Sequence, residues 1–207
     1  MRWSYYNFRE LGVIKYIPVF IMIGMTVLCR KSTAEAEIIL KSFELFLPPL
    51  VSLWIIPLFY NYVSEGAREL YLSYPCAREK TGAFRVLIFA GIYAVLLNLA
   101  FYLAVPGWRG FLVYILIFAV QSFLYASAGF LLIVLTKNTV VSMGIILAYA
   151  GIQVLDNGRV FSAVSVCFYD MISEGIPVIA FKLIMELVIG TVLLLAAQRH
   201  FEKMEVI

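Results

Sequence analysis

The chain has 207 residues, 63% of them hydrophobic and 14% charged, with a formal net charge of +3 and a mean hydropathy of +0.95. That is too little polar surface to cover a water-facing globule, so the composition excludes an ordinary soluble domain. The small, scattered positive charge gives no clustered nucleic-acid footprint, and from the odd set Cys29, Cys76 and Cys167, without CxxC or metal spacing, neither a disulfide framework nor a zinc site follows.

Taken in order, the apolar runs predict six membrane-spanning helices. Met1 to Leu11 mixes Trp3, Tyr5, Tyr6 and Phe8 with Arg2, Arg9 and Glu10, which suits a helix lying among lipid headgroups. A first span over 13–28 follows; its end lacks an A-x-A cleavage signal, so it reads as retained, with Lys15 reaching back to the headgroups. After a polar connection from Cys29 to Lys41, a second span covers 43–63, with Pro48 and Pro49 in its first turns, where a missing amide donor costs least. The third span, 83–105, closes at Pro106 and Gly107, and the fourth, 111–135, returns as a hairpin. Lys137 and Asn138 precede the fifth, 139–155. Asp156 to Gly175 is semi-polar, which predicts an interfacial or re-entrant segment, and the sixth span, 176–197, ends at Gln198, Arg199 and His200.

Placing both termini in the cytoplasm puts Arg2, Arg9, Arg68, Arg78, Lys80, Arg85, Lys137, Arg199 and Lys203 inside. Only Arg30, Lys31, Lys41, Arg109 and Arg159 then fall outside, as the positive-inside bias favours. The predicted architecture is an all-α, multi-pass protein of the prokaryotic cytoplasmic membrane, one transmembrane domain over 1–207.

The loop between the second and third spans carries the most specific signal. Ser64 is placed to cap a helix whose first turn holds Glu65, favourable against the positive end of the dipole, and Pro75 stops it. Ala67, Leu70, Tyr71 and Tyr74 fall on one side at spacings of three and four, with Arg68, Glu69 and Leu72 spread over the rest. The result is a short amphipathic helix; a solvated loop helix with local salt bridges is the plainer reading. The segment resembles the coupling-helix region of ABC-2-type transporter permeases, in which an acidic residue and a glycine precede a short apolar helix, a proline and a basic residue. Glu65, Gly66, Glu69, Leu70, Leu72, Pro75 and Arg78 carry that match, and Arg68 and Tyr71 lie within it. The six-span layout, interfacial N-terminus and semi-polar segment before the last span are also similar to that family.

The resemblance implies the membrane subunit of an ABC-type exporter. It would pair with a second copy or a related permease and be driven by cytosolic ATPase subunits that hold the ATP and Mg. The chain has no GxxxxGK[ST] phosphate loop, so it is expected to bind no cofactor itself. The alternatives are a substrate-binding membrane component or secondary carrier and, behind them, an intramembrane enzyme. A single histidine, and aspartates only at Asp156 and Asp170, count against the enzyme.

Within the spans, Lys182 and Glu186 stand four apart on one helix face, as an ion pair or as part of a substrate path. Asn98 and Gln121 are candidates for the same path, or for hydrogen bonds between helices. Gly144, Ala148 and Gly151 form a small-residue stripe on the fifth span, which predicts close packing against a neighbour within the chain, with a dimer seam as the alternative. His200 has no partner at metal spacing, so no metal site is expected.

Overall fold

The computed structural model describes residues 12–31, 36–63, 82–106, 111–156 and 176–203, which are helical with no strand among them. Helix is the structure that satisfies every backbone donor and acceptor within its own segment, which hydrocarbon demands. The helices are α1 (Tyr16–Lys31), α2 (Ala36–Phe46), a 3₁₀ turn (Pro48–Val51), α3 (Ser52–Val63), α4 (Ala83–Ala104), α5 (Phe111–Thr136), α6 (Thr139–Asp156) and α7 (Ile176–Glu202). Four segments are long and apolar enough to cross a membrane: Ile38–Tyr60, Ala83–Ala104, Leu112–Thr136 and Pro177–Glu202. The chain is therefore a membrane-embedded helical protein by the length and composition of its helices.

α5 is the axis. It packs most extensively on α7 and also against α4, α3, α6 and the 3₁₀ turn, while α1 lies on α4. Aromatic rings fill the joints between these helices. Phe59 of α3 meets Phe130 of α5 at 4.2 Å and Phe201 of α7 at 6.1 Å, tying three helices near one end. Toward the other end, Phe101 of α4 meets Phe43 of α2 at 5.7 Å and Phe118 of α5 at 5.2 Å. Close approach of α7 to α5 depends on Gly190, where a Cβ would stand 2.8 Å from Phe123 Cε1 and 3.4 Å from the Leu124 backbone. The opposite face of α7, with Phe181, Ile184, Val188, Val192 and Leu195, is exposed, as a lipid-facing side would be.

The second span differs from its sequence reading. Its helix starts near Ala36, so Lys41 lies on α2 and not in a polar connection, and the two prolines break the span in its middle instead of opening it. Neither Pro48 nor Pro49 has an N–H, so the carbonyls of Glu44 and Leu45 lose their helical donors. The chain passes the break through a 3₁₀ turn. There the Tyr93 hydroxyl donates to the Leu47 carbonyl at 2.5 Å, and the Ser52 hydroxyl donates to the Pro49 carbonyl at 2.6 Å. Neighbouring side chains thus hydrogen-bond two carbonyls within the break itself, tying it to α4 and to the start of α3.

Other boundaries shift less. α1 begins at Tyr16, after a turn over 12–15, and the Lys15 ammonium lies 5.0 Å from the Tyr16 ring. α7 runs through Gln198, Arg199 and His200 to Glu202, so these residues belong to the helix and not to a tail. The two-residue link before α6 is well specified. Lys137 takes φ 53°, a left-handed conformation that ends α5, and the Asn138 side-chain oxygen accepts from the amides of Val140 at 2.9 Å and Val141 at 3.2 Å.

The small-residue stripe on α6 is a correction. A Cβ at Gly144 or Gly151 would meet nothing within 4 Å among the described residues, and Ala148 is exposed. α6 instead packs through Ser142, Ile146 and Gln153, which are buried. The turn-by-turn spacing identified a face correctly but not what it faces.

Candidate functional site

Glu65, Gly66, Arg68, Glu69, Leu70, Tyr71, Leu72, Pro75 and Arg78 lie outside the described residues, as do the N-terminal interfacial segment and the semi-polar segment after α6. What the structure does describe is the pair of helix ends that carry the loop. α3 delivers the chain into it at Tyr62 and Val63, and α4 receives it at Gly82 and Ala83. Arg85, in the first turn of α4, is 4% exposed; its Nη1 donates to the Tyr62 hydroxyl, and the guanidinium carbon lies 4.7 Å from the centre of the same ring. A cation in the first turn opposes the helix dipole, so its presence serves the contact with α3 rather than α4 itself.

A third helix joins this clamp. The Gln198 side chain of α7 accepts from the Ala83 amide at 2.8 Å through Oε1 and donates through Nε2 to Glu202 at 2.7 Å. It thereby satisfies an N-terminal donor of α4 that Gly82, having no side chain, cannot cap. A Cβ there would land on Oε1 of Gln198, so that flexible side chain would have to swing away and give up the cap. Gly82→Ala is therefore expected to displace Gln198 and destabilise the fold by about 0.5–2 kcal/mol, the scale of a lost cap. Gln198→Ala should cost about the same through loss of that cap, and Gly82→Ala should add much less in that background. Detergent unfolding of the two single variants and the double variant checks both values.

In the middle of the bundle the structure brings together one predicted residue and one that the sequence reading passed over. Gln121 of α5 is fully buried, and its amide donates to Oε1 of Glu44 on α2 at 3.1 Å, a bond between helices as expected for Gln121. Glu44 is 1% exposed. The signal was present, since it is the one acidic residue in the predicted second span. Gln153, buried on α6, and Arg85 were missed in the same way, the latter because a basic residue at a span end reads as an interfacial charge.

The other predicted residues lie on α4 and α7. Asn98 donates to the Ala94 carbonyl of its own helix at 2.8 Å, so that amide hydrogen bonds within α4 instead of joining two helices. Its position after an alanine one turn earlier left that carbonyl in reach. Lys182 is half-buried and Glu186 is 5% exposed, both on α7. Among the described residues, no group of three or more His, Cys, Asp or Glu side chains comes together to hold a metal ion. The arrangement offers a clamped loop base at one end and buried polar side chains at mid-depth. Comparison with known families, with characterised proteins and with solved structures finds no match to the chain.

Proposed function

We propose that the chain is the membrane-spanning permease subunit of an ABC-type exporter, which couples ATP hydrolysis by a separate cytosolic ATPase to movement of a substrate across the cytoplasmic membrane. In this reading it crosses six times, with both termini in the cytoplasm. α1 and α6 complete the set begun by the four long segments, and a second copy or a related permease completes the path.

The observation that supports this best is the clamp beneath loop 64–81. A coupling helix works only if the helices on either side move with it. Tyr62, Arg85 and Gln198 bind the end of α3, the start of α4 and the last turns of α7 into one unit. A force on the loop would therefore reach three helices together, including the one that carries Lys182 and Glu186. The motif of the loop and the hydrogen-bonded clamp at its base point the same way.

The test is copurification and transport. The wild-type chain, expressed with its candidate ATPase, is expected to copurify with it, and transport should require ATP. Glu65→Ala and Pro75→Ala are expected to lower ATP-driven transport about tenfold or more, equivalent to about 1.4 kcal/mol or more of coupling. Unchanged association and transport in both variants would remove the coupling assignment. Transport by the chain alone, with no ATPase added, would favour the secondary-carrier reading.

A further inference from the structure

The outer face of α7 carries a pattern that does not depend on the transport reading above. Phe181, Ile184, Val188, Val192 and Leu195 recur at steps of three and four and are all exposed, so they form one stripe down the helix. Arg199 and Lys203, one and two turns beyond Leu195, continue the same stripe, and both are exposed. The polar side chain exposed between Val178 and Arg199 is that of Thr191, and its hydroxyl donates to the Leu187 carbonyl of its own helix at 2.7 Å, as a hydroxyl facing hydrocarbon must. At a rise of about 1.5 Å per residue, Val178 and Arg199 stand about 30 Å apart, the thickness of a hydrocarbon core. The apolar stripe thus fills the acyl region, and the two cations fall at its boundary among the headgroups.

Arg199 and Lys203 are neighbours on the helix surface, and two like charges so placed repel each other unless an anion lies between them. Among the described residues neither side chain has a hydrogen-bond or ion-pair partner. The adjacent Glu202 accepts from the Gln198 amide at 2.7 Å, on the side of α7 that meets α4. The anion is therefore to be sought outside the described bundle.

From these observations we infer that the outer face of α7 is a binding site for an anionic phospholipid, whose phosphate lies between Arg199 and Lys203 and whose acyl chains run along Val188, Val192 and Leu195. The guanidinium fits the two free oxygens of a phosphodiester, and the ammonium adds a second positive charge. A zwitterionic headgroup brings its own cation into that field and gains less, whereas phosphatidylglycerol brings none. A second copy of this chain suits the face poorly. Close helix packing in lipid favours small residues, while this stripe holds Phe, Ile, Val and Leu, and a two-fold contact would set the cations of one copy against those of the other.

Native mass spectrometry of the full chain released from maltoside micelles, titrated with dioleoylphosphatidylglycerol or dioleoylphosphatidylcholine, reads the affinity of the first bound lipid. Wild type is expected to bind phosphatidylglycerol about fivefold or more tighter than phosphatidylcholine. Arg199→Gln and Lys203→Gln should each weaken phosphatidylglycerol about fivefold while leaving phosphatidylcholine within about twofold. Lys31→Gln, which removes an equally exposed cation at the end of α1, should weaken phosphatidylglycerol about twofold or less. Equal affinity of wild type for the two lipids, wild-type phosphatidylglycerol affinity in the variant carrying both Arg199→Gln and Lys203→Gln, or as large a loss in Lys31→Gln would each overturn the inference. A dimer that carries no phosphatidylglycerol at lipid concentrations saturating the monomer would do the same, by placing a second copy on this face. Both substitutions are at exposed helix positions, where the fold is little affected, and the comparison of the two lipids on wild type needs no variant. Failure of the ATPase to copurify would remove the exporter reading and leave this site standing, since it rests on the membrane-embedded fold.

Discussion

Trp54→Ala is expected to destabilise the protein by about 3–5 kcal/mol, the range for removing a buried aromatic side chain. Trp54 is 1% exposed in the first turn of α3. Its ring stands edge-on to Tyr93 at 5.4 Å and to Phe89 at 6.2 Å, both on α4, and its indole N–H donates to the Lys15 carbonyl at 3.0 Å, just ahead of α1. One side chain therefore joins three helices. In a bilayer part of the usual hydrophobic term is absent, because an unfolded but inserted chain keeps its apolar residues in lipid. The cavity, the lost ring contacts and the abandoned Lys15 carbonyl remain, and dispersion across a void cannot be recovered from solvent.

Trp54→Phe should lose much less, about 1–2 kcal/mol, since it keeps a ring against α4 and gives up mainly the hydrogen bond and some volume. Tyr60→Ala, on the same helix but 39% exposed toward the outside, should change stability by about 0.5 kcal/mol or less. Unfolding by sodium dodecyl sulfate in mixed micelles, followed by loss of helical signal, measures all three. A loss below about 1 kcal/mol for Trp54→Ala would mean that α3 and α4 hold together by other contacts.

The long helices were legible because lipid imposes a simple rule: an apolar run of about 20 residues is a helix. Ala83–Ala104 and Phe111–Thr136 fall within a residue of their predicted ends for that reason. The rule says little about what interrupts a run. Pro48 and Pro49 looked like the start of a span because prolines are cheap there, yet they sit in its middle, in a 3₁₀ turn where the Leu47 and Pro49 carbonyls accept from Tyr93 and Ser52. Only the folded neighbours carry that information. Polar residues show the same divide. Gln121 has a partner on another helix while Asn98 bonds to its own, and nothing in the two spans alone separates the cases. The clamp was illegible for a further reason, since Gln198 lies far along the chain from Ala83 and caps it only when α7 has packed.

Arg85 provides the second large effect, and it discriminates between a contact that merely exists and one that is used. A buried guanidinium at the start of a helix carries both a desolvation cost and an unfavourable dipole, so replacing it with a residue of similar volume need not destabilise the protein. Arg85→Met is accordingly expected to lie within about 1 kcal/mol of wild type, and Arg85→Ala to lose about 2–4 kcal/mol through the space it vacates. Tyr62→Phe keeps the ring under the guanidinium but removes the acceptor, at a cost of about 1.5–3 kcal/mol, the scale of a hydrogen bond to a charged group. That cost should nearly vanish in an Arg85→Met background, giving a coupling energy within the 0.5–3 kcal/mol range usual for contacting side chains. A coupling below about 0.5 kcal/mol would mean that the two groups are neighbours without a grip. The functional consequence follows from the same pair. Arg85→Met would be stable yet no longer tie α4 to α3, so it should retain ATPase association through loop 64–81 while losing most ATP-driven transport. Arg85→Lys should recover part of that transport, because an ammonium can still reach the Tyr62 hydroxyl but cannot reproduce the planar stacking of the guanidinium.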